Sequence, residues 1–199
     1  MDKEMTKFYK TALLGNVSGE PLCDEYRDLW RACGDDRGRL VALAVRQQSL
    51  PYLLTHCYKG KGVSKDYIKR EFADYINGRY EVKDADLVKG YTYALNVDLE
   101  EDSVVTANVS AYMWCRDVEL TVRETKAPIL YIGCGSTIHL TLGGYNNVMI
   151  YLFDDSKVII DDADEVSKVI VYKFSDKASV EKGRFCFAQV KEHNKTLRL

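Results

Sequence analysis

Histidine is scarce in this chain, and the scarcity narrows the chemistry before any motif is read. Its 199 residues include three histidines, His56, His139 and His193. His56-Cys57 offers two adjacent metal ligands, but no second Cys/His pair stands at zinc spacing. The six cysteines (Cys23, Cys33, Cys57, Cys115, Cys134, Cys186) form no C-x-x-C pair. Without an export signal they read as reduced, mostly buried thiols. Cys134, between Gly133 and Gly135, is the candidate accessible thiol, yet no sequence feature ties a histidine base to it. Nucleotide-binding P-loop, dinucleotide fingerprint, serine nucleophile elbow and metalloprotease helix are all missing, so no cofactor is expected. No run approaches the apolar length of a membrane helix. The start, Met1-Asp-Lys-Glu-Met-Thr-Lys, lacks the apolar core of a signal peptide. The expectation is a cytoplasmic protein with no membrane role. A net charge of −2 exerts no global pull on nucleic acid, which is not an expected partner.

What is present is a repeat. Ser136-Thr-Ile-His-Leu-Thr-Leu, Asn146-Asn-Val-Met-Ile-Tyr-Leu, Ser156-Lys-Val-Ile-Ile and Ser167-Lys-Val-Ile-Val each run from a small polar residue through one spacer into alternating apolar residues. Ile138, Val148, Val158, Val169 and, more weakly, Val180 mark the units. Alternation puts Ile138, Leu140, Leu142, Val148, Ile150, Leu152, Val158, Ile160, Val169 and Val171 on one strand face. Gly, Asn, Asp and Ser fill the intervening turns. Every unit has the same polarity along the chain, which favours parallel rungs stacked like over like. An antiparallel β-sandwich is the alternative. The opposite face carries Met149, Tyr151, Phe153, Ile159, Ile170, Tyr172 and Phe174, with His139. It is too apolar for a solvated surface. The chain's own helices or a second copy are expected to cover it.

Residues 1–80 read as a helical region, in segments near 2–14, 21–33 and 37–48, a short helix after Ser49-Leu50-Pro51, and a longer one over Ser64–Asn77 with Ser64 as cap and Gly78 as terminator. Tyr80 to Lys89 reads as a linker. Residues 91–185 are expected to form the solenoid-like domain, and 186–199 a cap or tail. The fold class is therefore α+β: helices followed by a short parallel β-helix.

Two charged constellations compete with simple turn chemistry. Lys59, Lys61, Lys65, Lys69 and Arg70 cluster around a glycine-containing loop and a helix start, a pattern that can hold phosphate. Asp66, Glu71 and Asp74 offset that charge. Asp154, Asp155, Asp161, Asp162 and Asp164 recur at rung corners, where carboxylates could take calcium or act as an acid/base pair on a sugar. The glycine-rich nonapeptide of calcium-binding solenoids is missing.

Arg46-Gln-Gln-Ser-Leu-Pro, Tyr58-Lys-Gly-Lys-Gly-Val-Ser-Lys-Asp-Tyr, Asp74-Tyr-Ile-Asn-Gly and Tyr151-Leu-Phe-Asp-Asp-Ser-Lys-Val-Ile-Ile-Asp-Asp-Ala-Asp give the chain the look of a protein family from gut Bacteroidales bacteria and their phages or mobile elements. It resembles that family over most of its length beyond about residue 25. The resemblance implies no assigned activity and no catalytic residues. The C-terminal units are also similar to β-helical repeats of adhesin-like heads, which implies binding or scaffolding. The leading expectation is a non-enzymatic structural or binding protein that associates with itself or a protein partner through the aromatic face. A carbohydrate-active or calcium-binding solenoid and a phosphate- or nucleic-acid-contacting accessory protein are the alternatives.

Overall fold

The computed structural model describes residues 3–4, 24–46, 49–82, 92–123, 127–164, 166–183 and 187–193, and among these four complete helices precede the strands. Of the first expected helix only Lys3 and Glu4 are described, both helical; the remainder, with Cys23 and Cys186, lies outside the described residues. The four are α1 (Asp24–Cys33), α2 (Arg37–Ala44), α3 (Leu50–Tyr58) and α4 (Lys65–Glu71). Asp36 caps α2 by accepting from the Arg39 N–H at 3.0 Å. Ser64 caps α4, accepting from the Tyr67 N–H at 3.3 Å. Before α3 the Ser49 hydroxyl makes no cap bond, and Pro51 in the first turn sets the entry.

The helix expected to reach Asn77 stops at Glu71 and gives way to a short 3-10 turn, Ala73–Tyr75. Tertiary pairing overrides the helical period. Ile76 is extended, and Asn77, not Gly78, takes the positive φ of 53°. Asn77 then behaves like a strand residue. Its N–H donates to Leu95 O at 2.9 Å, its Oδ1 accepts from the Val97 N–H at 2.8 Å, and its Nδ2 donates to Val97 O at 3.2 Å. The bend also sinks Phe72 and Ile76 beside Tyr67 and Ile68 in one core.

The strands wind as a parallel β-solenoid. One sheet holds, in spatial order, β1 (Tyr80–Glu81), β2 (Thr92–Val97), β4 (Val109–Met113), β6 (Ile129–Gly133), β8 (Asn147–Leu152), β10 (Lys168–Lys173) and β12 (Gln189–Glu192). The facing sheet holds β3 (Ser103–Val104), β5 (Val118–Arg123), β7 (Thr137–Gly143), β9 (Lys157–Asp162) and β11 (Ser179–Lys182). Among the described strands only β1, paired with β2, runs antiparallel. β1 occupies the start of the expected linker, whose residues 83–89 lie outside the described residues. β12 falls within the expected tail, so the solenoid runs past residue 185.

The repeat needs one correction. A ten-residue unit is half a coil, and successive units lie on opposite sheets. Like therefore stacks on like at every second unit: Val118, Ile138, Val158 and Val180 in one sheet, Val148 and Val169 in the other. Inside, Leu120, Leu130, Ile132, Ile138, Leu140, Ile150, Leu152, Val158 and Ile160 form a dry core. Burying each such side chain is worth about 1.5–3 kcal/mol.

The small polar residues hold the corners. Ser136 Oγ accepts from the Cys115 N–H at 3.1 Å and donates to Gly133 O at 2.7 Å. One coil on, Ser156 Oγ accepts from the Ser136 N–H at 3.1 Å. At the opposite corner Asn146 Nδ2 donates to Gly143 O and Ser167 Oγ to Gly144 O. Side chains thus satisfy backbone groups that neither sheet reaches.

Candidate binding surface

Sheet register decides what the outer face of the seven-stranded sheet displays. Three columns run across it. The first is Tyr93, Val109, Ile129, Met149, Ile170, Gln189. The second is Leu95, Ala111, Tyr131, Tyr151, Tyr172, Lys191. The third starts Val97, Met113, Gly133 and continues through Phe153, Phe174 and His193, whose N–H groups donate to Ile132, Leu152 and Lys173 on the preceding strand.

Among the described residues the helices cover only the early half of this face. Leu50, Leu53, Leu54, Tyr67 and Ile68 pack on Tyr93, Leu95, Val97, Ala111, Met113 and Tyr131 in the second core. Gly133 makes the docking possible. A Cβ there would lie 3.2 Å from Leu54 Cβ and Cδ2, so the missing side chain is the seat for α3. The Cys134 thiol donates to Leu54 O at 3.4 Å beside it. Trp30 is buried in this layer, and Trp114 packs half-buried against it.

Beyond β6 the sheet face is half-buried, and among the described residues the helices pack chiefly on the earlier strands. Rings stack along its columns: Tyr131 on Tyr151 at 4.7 Å, Tyr151 on Tyr172 at 5.2 Å, Phe153 on Phe174 at 4.9 Å and Phe174 on His193 at 5.1 Å. Interplanar angles are 6–18°. Rings stacked this way cover one another's faces and turn their edges outward. A sugar ring stacks on an aromatic face, so the ladder is no carbohydrate platform.

The expected interface set divides. Met149, Tyr151, Ile170, Tyr172 and Phe174 lie together, half-buried, on this later strip. Phe153 is only 2% exposed and belongs to the helix-covered core. Ile159 and His139 lie on the other sheet, paired with each other across β9 and β7, because alternate units change sheets. Three further residues were not anticipated. Tyr145, Val166 and Phe187 are 69%, 50% and 79% exposed. Each directly precedes the small corner residue of its coil, Asn146, Ser167 or Ala188. A large apolar residue among turn formers was the signal, and turn composition masked it.

The acidic set is dispersed. Asp154 and Asp155 follow β8; at the opposite corner Asp161 and Asp162 end β9 and Asp164 follows it. Each corner uses carboxylates to hold backbone. Asp154 accepts from the Cys134 N–H at 3.1 Å, Asp162 from the Ser167 N–H at 2.9 Å, and Asp164 from the Gly144 N–H. Among the described residues no three Asp, Glu, His or Cys groups gather as a metal site. The basic set is also engaged. Lys65 and Lys69 both bond Asp98 at 2.9 Å, and Arg70 bonds Glu71 at 2.9 Å. Lys59 and Lys61 are exposed in the preceding loop. Cys134 is 3% exposed, and burial raises its thiol well above the usual range, so the geometry does not favour the reactive thiolate. His56 Nδ1 lies 2.7 Å from Tyr52 O, and burial pushes the neighbouring Cys57 thiol up to about 12. No helix among the described residues is long and apolar enough to cross a membrane.

Asp154 makes stability depend on pH. Burial raises its carboxyl from 3.8 to about 6, with the Cys134 N–H opposing the rise. The folded chain holds this proton where the unfolded chain has released it. Stability therefore falls as pH rises from about 4 to about 6 and is level beyond. Asn keeps the acceptor and tolerates the positive φ of 58°. Asp154→Asn is expected to stabilise by about 1–2 kcal/mol at pH 7.5, a shift discounted for partial exposure, and to flatten that window. Urea titrations at pH 4, 6 and 7.5 check it; equal wild-type and variant slopes would refute the assignment.

No protein-family model, curated protein or solved structure matches the chain.

Proposed function

We propose that this is a non-enzymatic scaffold that forms a transient homodimer through the half-exposed part of its aromatic sheet. The carrying observation is that, among the described residues, helices cover one continuous sheet face over β2, β4 and β6 and leave it half-exposed over β8, β10 and β12, with apolar residues in both halves. Outward ring edges and tyrosine hydroxyls suit a flat protein surface.

The shape favours a second copy as the occupant. The helical layer stands about 10 Å above the sheet, the same as the spacing of two sheets packed face to face. Two strips can meet while each helical step abuts the other copy's last coil. With a two-fold axis parallel to the strands, β12 of one copy lies over β8 of the other. Phe187 then meets Tyr145, and the Lys191–His193 end meets Asp154 and Asp155, pairing opposite charges. The strip is about 14 Å across three strands and about 30 Å from Tyr145 to Phe153, or about 400 Å² per copy. Stable dimers bury about 800 Å² per partner, so the dimer dissociates on dilution.

Sedimentation velocity across a concentration series tests this. The expected result is a concentration-dependent dimer, abolished by Tyr172→Glu with the far-ultraviolet spectrum unchanged. A wild-type chain that stays monomeric at millimolar concentration would remove the homodimer. A dimer indifferent to Tyr172→Glu and Phe187→Glu would remove this surface.

A further inference from the structure

The inside of the solenoid changes character at its N-terminal end. Register sets two inward columns on the seven-stranded sheet. One reads Ala94, Ser110, Leu130, Ile150, Val171, and the other Asn96, Tyr112, Ile132, Leu152. From β6 to β8 both are apolar and fully buried. On β2 and β4 the same columns carry an amide, two hydroxyls and a methyl group. An open cavity of about 100 Å³ lies there, with Ser103 and Thr106 opposite and Asn77 to Arg79 along its edge. It faces inward, away from the aromatic strip.

Two groups in the lining are unspent. Ser110 is 1% exposed, and its Oγ completes no hydrogen bond; the Tyr112 hydroxyl comes near it without the geometry for one. A buried hydroxyl left so costs about 1–3 kcal/mol, a cost that the leucine at the next place in the column avoids. The second group is Arg79. Tyr80 pairs with Tyr93 and shares its outer face, so Arg79 takes the opposite face, that of Ala94 and Asn96. Arg79 is exposed and has no hydrogen bond or ion pair among the described residues. No carboxylate stands among the residues that line the cavity. In the loop before β3, Asp98 is held by Lys65 and Lys69, and Asp102 accepts from the Glu119 N–H, while Glu100 and Glu101 are exposed.

We propose that this end of the solenoid binds a small oxyanion, with Arg79 forking onto it at the rim and the Ser110 and Tyr112 hydroxyls donating from within. Every polar side chain in the lining can donate a hydrogen bond, and the one formal charge is positive. A cation would find no counter-charge there. Asn96 Nδ2 is already spent on Ala111 O at 3.3 Å, so the arginine and the hydroxyls carry the recognition. The volume is well below the usual small-molecule range of about 300–1,000 Å³. It suits a phosphate, a sulfate or a short carboxylate, all of which offer oxygens to a guanidinium fork.

Calorimetry and amide chemical shifts on the full chain test the site, with sodium phosphate, sulfate and acetate as probes and chloride at matched ionic strength as the control. Saturable binding of at least one oxyanion is expected, with shifts gathered at residues 78–79, 94–96, 103–106 and 110–112. Whether phosphate or acetate binds more tightly tells a tetrahedral from a planar ligand. Arg79→Ala, at an exposed position, is expected to weaken binding at least about tenfold. Ser110→Ala is expected to weaken it about fivefold, the loss of one hydrogen bond, and to keep or raise the melting temperature, because the hydroxyl gives up no partner in the free chain. Four outcomes overturn the proposal: no saturable binding of any oxyanion at millimolar concentration, the same shifts with chloride, Arg79→Ala binding like the wild type, or Ser110→Ala losing stability while affinity is unchanged.

Discussion

Gly133→Phe is expected to strip the helical layer from the solenoid and leave the coils standing. Along its column the strands carry Phe153 and Phe174, stacked at 4.9 Å. Phenylalanine at 133 would suit the strand itself and could continue the ladder. The obstacle is α3. The added Cβ would sit 3.2 Å from two Leu54 atoms, and the ring would fall where Leu54, itself fully buried, now sits. Overpacking costs about 1–3 kcal/mol, and losing a buried leucine about 2–5 kcal/mol. A destabilisation of helix docking by about 3–5 kcal/mol follows, while the interior of Leu130, Ile132 and Ile150 is untouched. In denaturant, the fluorescence of Trp30, buried among the helices, should shift at lower concentration than the strand signal in circular dichroism. Gly133→Ala needs only a few tenths of an ångström of give and should cost about 1 kcal/mol. A Gly133→Phe variant that unfolds in a single transition at the wild-type midpoint would show that α3 is not seated through this glycine.

Gly133 also shows where the sequence was readable and where it was not. The strands, the parallel stacking and the apolar interior were legible, because alternation and a small corner residue recur in Ser136, Asn146, Ser156 and Ser167. These are the residues whose side chains turn out to hold the corners. The number of units per coil was not legible. One unit per coil and two per coil give the same ten-residue period, and only the pairing of Ile138 with Val158 distinguishes them. That ambiguity mixed Ile159 with residues of the other sheet. Helix periodicity likewise ran on through Phe72 to Asn77, since nothing local announces that Asn77 will bond Leu95 and Val97, about 20 residues away. The meeting of Gly38, Tyr75 and Tyr93 was invisible for the same reason: they come together only in the folded chain. Asp162 and Asp164, by contrast, carried a plain turn reading beside the metal one, and each bonds a backbone amide.

Removing one hydroxyl from the corner ladder should be far costlier at one tier than at the next. Ser136 and Ser156 are both fully buried, occupy the same corner one coil apart and look interchangeable in the repeat. Their partners differ. Ser136 Oγ is the acceptor for the Cys115 N–H, and Cys115 is fully buried with no other backbone acceptor among the described residues. Ser136→Ala strands that amide and also gives up the 2.7 Å bond to Gly133 O. An orphaned buried donor costs about 1–3 kcal/mol and a lost hydrogen bond about 1 kcal/mol, so the expected loss is about 2–4 kcal/mol. Ser156 Oγ accepts from the Ser136 N–H, but that amide also reaches Gly133 O at 3.3 Å within its own turn. Ser156→Ala therefore leaves no amide stranded and should cost about 1 kcal/mol. Denaturant titration of the two variants gives the difference directly, and hydrogen exchange at the Cys115 amide locates it: that amide should lose protection in Ser136→Ala and keep it in Ser156→Ala. Equal destabilisation by the two would mean that the corners are held by the coils themselves, with the serines merely filling space.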